Sequence, residues 1–168
     1  MSSRDNDFAR VYEEHLGYVY GFLYYRLRDL DLAEDLAHAT FERALRAWPR
    51  FDPRRASERT WLLTIARNLM IDHHRREQPE PTERIDERLL PTVDGPEQGT
   101  DAWPQLHEAL QKLTDREQEL IALRFGADLR GSEIADLTDL SLANVQQILS
   151  RALKRLRTLL EDSEAVRA

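Results

Sequence analysis

Asp72-His73-His74-Arg75-Arg76 places a carboxylate, two imidazoles and two guanidiniums at five consecutive positions. Two chemistries compete for such a run. A carboxylate beside imidazoles can hold a metal ion or move a proton, whereas arginines meet the phosphates of nucleic acid. Adjacent histidines on a helix point about 100° apart, so His73 and His74 cannot easily share one metal ion. A helical metal pair needs a spacing of three or four residues, as in His-Glu-x-x-His, and no histidine pair here has it. His15, His38 and His107 stand alone and read as surface or partly buried residues. No glycine-rich phosphate loop occurs, and no Ser-His-Asp or Cys-His set has supporting context. The expectation is no catalytic residue, no metal and no cofactor. A plain solvated helix end is the simplest rival. Against it stand Arg54, Arg55 and Arg59 with Trp61, because unpaired bases stack on rings while their phosphates meet cations.

The elements that must carry these residues follow from periodicity. Phe8, Val11, Tyr12, Leu16, Val19, Tyr20 and Leu23 recur at three and four residues, the stripe of a long amphipathic helix. A turn is expected at Arg28–Leu30. Asp31 and Glu34 have the spacing of a capping box for a second helix running to about Trp48. Pro49 and Pro53 make residues 49–56 a loop, and Ser57 caps a third helix with the stripe Leu62, Ile65, Ala66, Leu69. Further on, residues 102–113 read as a helix, and Thr114 with Glu117 has capping-box spacing for another that stops at Gly126. A short helix at Ser132–Leu137, a tight turn and a long helix capped by Ser141 match a helix-turn-helix. The apolar stripe of the last helix is Leu142, Val145, Leu149, Ala152, Leu153, Leu156 and Leu160. Asn144, Gln147, Arg151 and Lys154 lie opposite, and these residue types read base edges and phosphates in a major groove.

Charge sets limits on the partner. The net charge is −7, yet residues 54–76 carry six arginines against Glu58 and Asp72. Residues 141–157 carry Arg151, Lys154, Arg155 and Arg157 and no acid. Two basic patches on an acidic whole bind DNA weakly alone, because the long-range field opposes phosphate contact. The 168 residues contain no cysteine, so thiolate metal sites, disulfides and thiol redox chemistry are excluded. No run of about 18 apolar residues exists to span a membrane. The opening MSSRDNDF has no apolar signal core, which predicts a cytoplasmic protein without membrane insertion. From 78 to 100 the chain holds four of seven prolines and an excess of acids, the composition of a linker with at most a short helical piece at Arg84–Leu90.

Ala33-Glu34-Asp35-Leu36 with His38 and Phe41, then Trp61-Leu62-Leu63-x-Ile65-Ala66-Arg67-Asn68 and Asp72-x-x-Arg75-Arg76, resembles region 2 of bacterial extracytoplasmic-function (ECF) sigma factors. Glu133-Ile134-Ala135, Ser141-x-x-x-Val145 and Arg151-Ala152 resemble their region 4. The ordered set covers nearly the whole chain. It implies an all-α fold of two helical domains, region 2 over 1–78 and region 4 over 101–168, joined by a flexible acidic linker over 79–100. It also implies a non-enzymatic subunit that binds core RNA polymerase, directs it to specific promoters and helps melt the −10 element.

By resemblance, Asp35, Leu36, His38, Phe41 and Glu42 would dock on the clamp helices of the largest polymerase subunit. The −10 strand would fall to Arg54, Arg55, Arg59, Trp61, Arg67, Asn68, Arg75 and Arg76, with Asn68 beside a pocket for an unstacked base and Trp61 either its wall or a core anchor. The −35 element would fall to Ser141, Asn144, Gln146, Gln147, Arg151 and Lys154. Promoter DNA and an anti-sigma protein complete the implied partners. The family commonly carries Gln where His38 stands, and Lys-Ser-Arg where this chain has Gln146-Gln147-Ile148. Two missing cations predict weaker phosphate contact and a different base preference, and Ile148 is placed at a thymine methyl, on a partner or in the core. Two rivals stay open on the residues alone: a stand-alone helix-turn-helix regulator with an N-terminal sensing bundle, and a helical metal-dependent phosphohydrolase using Asp72 and His73.

Overall fold

The structure, a computed structural model, describes the backbone of residues 3–77 and 102–167. The expected linker over 79–100, including Arg84–Leu90, lies outside the described residues. Every regular element among the described residues is helical. Helix α1 (Ser3–Leu27) is followed by α2 (Leu30–Ala47), a 3-10 turn at Trp48–Arg50 and α3 (Glu58–Glu77). The second unit holds α4 (Ala102–Gln111), α5 (Asp115–Ile121), a π-turn at Ala122–Gly126, α6 (Gly131–Thr138) and α7 (Leu142–Arg167).

Local signals account for most of the boundaries. Chain reversal after α1 uses Arg28 at φ 55°, and the Asp29 carboxylate accepts from Leu32 N at 3.0 Å to start α2. Asp29 is therefore the cap, worth about 1 kcal/mol, and not Asp31. Asp31 instead sits in the first turn, where its charge complements the helix dipole. Ser57 caps α3 through Thr60 N at 3.1 Å. Thr114 and Glu117 form the reciprocal box: Glu117 Oε2 accepts from Thr114 N at 2.8 Å, and Thr114 Oγ1 accepts from Glu117 N at 3.3 Å. Within the helix-turn-helix, Asp139 turns the chain at φ 57° and Ser141 Oγ receives Asn144 N at 3.2 Å.

The first stripe packs as the periodicity requires. Phe8, Val11, Val19 and Leu23 are buried, and Tyr12, Leu16 and Tyr20 pack against them. On α3 the buried line is Leu62, Leu63, Ala66 and Met70, while Ile65 and Leu69 are only partly covered. The core face is rotated by about one residue because α3 packs on both α1 and α2. On α7, Val145, Ala152 and Leu156 are buried, but Leu142 and Leu153 are each 44% exposed, which corrects the expected stripe. Leu142 stands at the start of α7 with its side chain beside Gly131, and Leu153 edges an open groove with Leu106, Leu156 and Leu160. Ile148 is partly buried and packs against the core, so the core alternative for it has direct packing behind it.

One apolar core crosses from the first unit into the second. Phe22, Leu23, Leu62 and Leu63 are fully buried with Leu120, Leu123, Leu129 and Ile134 in the same cluster. A smaller cluster, with Leu110, Leu113, Ile121, Ala152 and Leu156 at its centre, holds α4 and α5 on α7. The His107 ring lies 5.4 Å from that of Tyr24 at 53°, so α4 also rests on α1. Burial, then the nearby Arg28 cation, lowers the His107 pKa. The packed state therefore favours the neutral ring, while the unfolded chain takes up the proton near the ordinary pH of about 6.5. Stability is full above that pH and is lost as pH falls through it. Urea titrations at about pH 7.5 and 5.5 should show this loss, and His107→Gln should reduce it. An identical slope in wild type and variant would contradict the assignment.

Candidate nucleic-acid and polymerase interface

Three surfaces emerge from this frame. On α2, Asp35, His38 and Glu42 are exposed at spacings of three and four, so they form one line. Leu45 extends that line by three more residues and is 50% exposed, beside a shallow groove lined by Phe8, Ala9, Tyr12 and Glu13. Leu36 is half-buried at the rim. Phe41 is only 4% exposed, its ring 4.8 Å from Tyr12 and 6.5 Å from Phe8. As a core residue it cannot contact a partner, which corrects its place in the docking set.

The second surface comprises the loop after α2 and the exposed side of α3. Trp61 lies among Trp48 and Phe51, with ring centroids at 6.0 and 4.8 Å. It anchors the loop onto the helix, so the core-anchor alternative for Trp61 has direct packing behind it. Arg54 folds back on Asp52 with contacts of 3.0 and 2.9 Å, and this guanidinium holds the Asp52 carboxyl below its usual range. Arg55 is exposed. Asn68 and Arg75, seven residues apart, share one exposed line on α3, with Arg76 to one side. Arg67 points around the helix toward the second unit, where its Nε donates to Glu119 Oε1. Arg59 is also turned that way: its guanidinium lies 3.7 Å above the Tyr18 ring and donates to the Asp128 carbonyl at 3.2 Å.

The opening pentapeptide falls at the C-terminal end of α3. Its two histidine rings are 6.2 Å apart at 59°, and His73 Nε2 reaches Glu77 Oε1 at 3.3 Å, one helical turn away. Elsewhere, Glu14, His15 and Glu58 lie close enough to suggest a metal group. Arg10 occupies it: its guanidinium bonds both carboxylates at 2.7 Å, and His15 Nε2 is 3.1 Å from Glu58. A resident guanidinium between the two carboxylates disfavours a further cation.

The third surface is α7. Ser141, Asn144, Gln146, Gln147, Arg151 and Lys154 are all exposed, at the N-terminal half of the second helix of the motif. Ser141 also caps that helix, so its hydroxyl is already in use as an acceptor.

Comparison with known proteins decides the family. Residues 11–80 match Sigma-70 region 2, and residues 109–158 match Sigma-70 region 4. The ECF RNA polymerase sigma factor SigM of Bacillus subtilis is 30% identical over 152 residues, covering 89% of this chain and 92% of its own. The chain belongs to the ECF RNA polymerase sigma factors. A second relative, the sigma factor BldN of Streptomyces coelicolor, is 32% identical over 162 residues, and the match spans 92% of this chain and 61% of BldN. Among solved structures, the sigma factor RpoE in complex with the anti-sigma factor NepR from Bartonella quintana superposes with a TM-score of 0.78. That likeness, at 23% identity over 92% of this chain and 97% of that one, concerns the fold.

This sigma factor is thus an RNA polymerase specificity subunit, and the stand-alone regulator is not favoured. Sigma factors are, as a class, regulatory and non-enzymatic. No described helix is long and apolar enough to cross a membrane. Several residues escaped the sequence reading: Leu45 on the exposed α2 line, Tyr18 under Arg59, and the acids Glu119 and Asp128 that meet Arg67 and Arg59. Leu45 was legible, since it continues the spacing of Asp35, His38 and Glu42. The others depend on contacts between residues more than 40 positions apart, which no local pattern encodes.

Proposed function

We propose that this sigma factor joins core RNA polymerase through the exposed α2 line, reads a −35 element with α7, and opens the −10 element on α3. The division into region 2 (1–78), linker (79–100) and region 4 (101–168) belongs to the same reading, as do a cytoplasmic location and inhibition by an anti-sigma protein. The carrying observation is the exposed polar row Asn144, Gln147, Arg151 on a capped helix-turn-helix recognition helix. Asn and Gln are suited to adenine, and Arg to guanine or phosphate. Asp35, His38, Glu42 and Leu45 supply polymerase with a mixed acidic and apolar face, and charge complementarity fixes the register of such a contact. Asn68 and Arg75 offer an amide and a cation to a strand whose unstacking costs a few kcal/mol. No bond is made or broken by the chain; binding energy alone drives the opening.

The test is transcription of genomic DNA by core polymerase with and without the protein, with transcript 5′ ends mapped. A set of starts that appears only with the protein and shares a motif at each of two positions is expected; no protein-dependent start would overturn the reading. Arg151→Ala should lower transcription from those starts by about 5- to 150-fold, the worth of one base-edge contact of 1–3 kcal/mol. It should also relax the base preference at a single −35 position. A uniform loss across all starts with a shallower salt dependence would assign Arg151 to phosphate instead.

A further inference from the structure

We propose that Leu142, the first residue of α7, is a specificity-determining residue of the −35 contact: its side chain reads the C5 methyl group of one thymine. The inference rests on the sigma reading of α7 and deepens it, adding an apolar base contact to a surface so far described by its amides and cations. Three observations join in it: where Leu142 stands in the motif, how little covers it, and why Gly131 beside it carries no side chain.

Position comes first. The recognition helix of a helix-turn-helix enters the major groove with its N-terminal residues against base edges, while the first helix of the motif crosses the backbone. Leu142 opens α7, and Gly131 opens α6. Every Cα–Cβ bond of a helix tilts toward its N-terminus, and a side chain in the first turn has no earlier turn to lie on. Leu142 therefore leans past the end of α7 that a groove receives first. Ser141 Oγ, which accepts from Asn144 N at 3.2 Å, fixes the backbone of that turn and so the direction of the side chain.

The other bulky apolar residues in the first two turns of α7 are covered. Val145 is buried, and Ile148 and Leu149 pack against the core. Leu142 stays 44% exposed. Gln146, four residues on, is exposed on the same face. An apolar group beside an amide matches the major-groove edge of A·T pairs: thymine presents its methyl, and adenine presents N7 and N6 to a Gln amide. A G·C pair offers no methyl to such a leucine.

Gly131 has no positive φ, so its own backbone conformation does not require glycine. What it provides is room. A methyl group there would come within 3.0 Å of Leu142 Cδ1, closer than ordinary van der Waals contact. Cδ1 is the end of a flexible side chain, so an alanine would push Leu142 aside and leave the helix in place. Gly131 is thus a positioning residue: it lets the leucine lie across the start of α6, where the two helices of the motif approach the duplex together.

Deoxyuridine differs from thymidine only in lacking the C5 methyl, so it tests the contact without altering a hydrogen bond. Promoter duplexes from protein-dependent starts would carry uracil for each −35 thymine in turn, on either strand. Run-off transcription by core polymerase with the full chain is the readout. At one position uracil should lower transcription about fourfold, the worth of one buried methyl at about 0.8 kcal/mol. Leu142→Ala should make thymine and uracil equal there and change the ratio nowhere else. Leu142→Met should keep most of the discrimination, and Gly131→Ala should reduce it. Leu153→Ala, which shortens an equally exposed leucine of the same helix, should leave the ratio intact. Because the ratio is internal to each protein, a general loss of stability or activity in a variant does not imitate the effect. A ratio that survives Leu142→Ala would overturn the inference, and so would a −35 element in which no thymine is sensitive to its methyl. Absence of transcription from every template would overturn the sigma reading itself, whereas intact transcription that ignores the methyl overturns only the role of Leu142.

Discussion

Reversing two charges on α2, Asp35→Arg with Glu42→Arg, should weaken assembly with core RNA polymerase by at least about a hundredfold. Like charges brought together across an interface cost several kcal/mol, and each 1.4 kcal/mol is a factor of ten. Both side chains are exposed, so the fold should survive. What the helix loses is the one-turn pair between Glu42 and Arg46, worth about 0.5 kcal/mol or less at such exposure. The measurement is a titration of core polymerase with labelled protein, alongside thermal unfolding of the variant alone. Unchanged affinity would move the docking surface off α2. A large drop in melting temperature would instead show that the acids hold the bundle together.

Asn68→Ala should impair strand opening about 5- to 150-fold while leaving the closed complex intact. The magnitude is that of one captured base, 1–3 kcal/mol in single-strand recognition. Asn68 is exposed on the line that it shares with Arg75 and is not among the buried residues of α3. Removing it therefore alters a surface and not the packing. Permanganate reactivity of thymines within the −10 element reports opening, and gel mobility of the polymerase–promoter complex reports binding. Equal losses in both would assign Asn68 to general DNA affinity, with no pocket beside it.

How much of this was legible in the sequence depends on the range of the interaction. Ser57, Thr114 with Glu117, and Ser141 announced their helices correctly because a cap acts on an amide two or three residues ahead. Asp31 misled because Asp29, two residues earlier, offers the same carboxylate to the first turn, and the left-handed Arg28 decides between them. The α1 stripe packs as its spacing requires, but Phe22 and Tyr24, outside that stripe, are buried as well because α1 also meets the second unit. The stripe on α3 was displaced because that helix is covered from two sides. Leu142 and Leu153 looked like core on spacing alone, yet Leu142 stands at the exposed start of α7 and Leu153 at the edge of the covered face, between the buried Ala152 and Leu156.

The candidate sites divide in the same way. Asn144, Gln147, Arg151 and Lys154 follow from one helix face and are exposed as expected. Phe41 belongs to a sequence motif that mixes core and surface residues, and only packing against Phe8 and Tyr12 reveals which kind it is. Arg59 and Arg67 read as free cations, whereas the fold brings acids from the far half of the chain onto both. Net charge offered no warning of this, since −7 is the sum over all residues and not the field at α3.

The measurement that most directly tests the central claim compares promoter binding with and without polymerase. Labelled duplex from a protein-dependent start would be titrated at physiological salt with the chain alone, with core polymerase alone, and with both together. Tight, sequence-dependent binding only in the combined titration is the predicted result. Sequence-dependent binding by the chain alone, as tight as in the presence of polymerase, would contradict it.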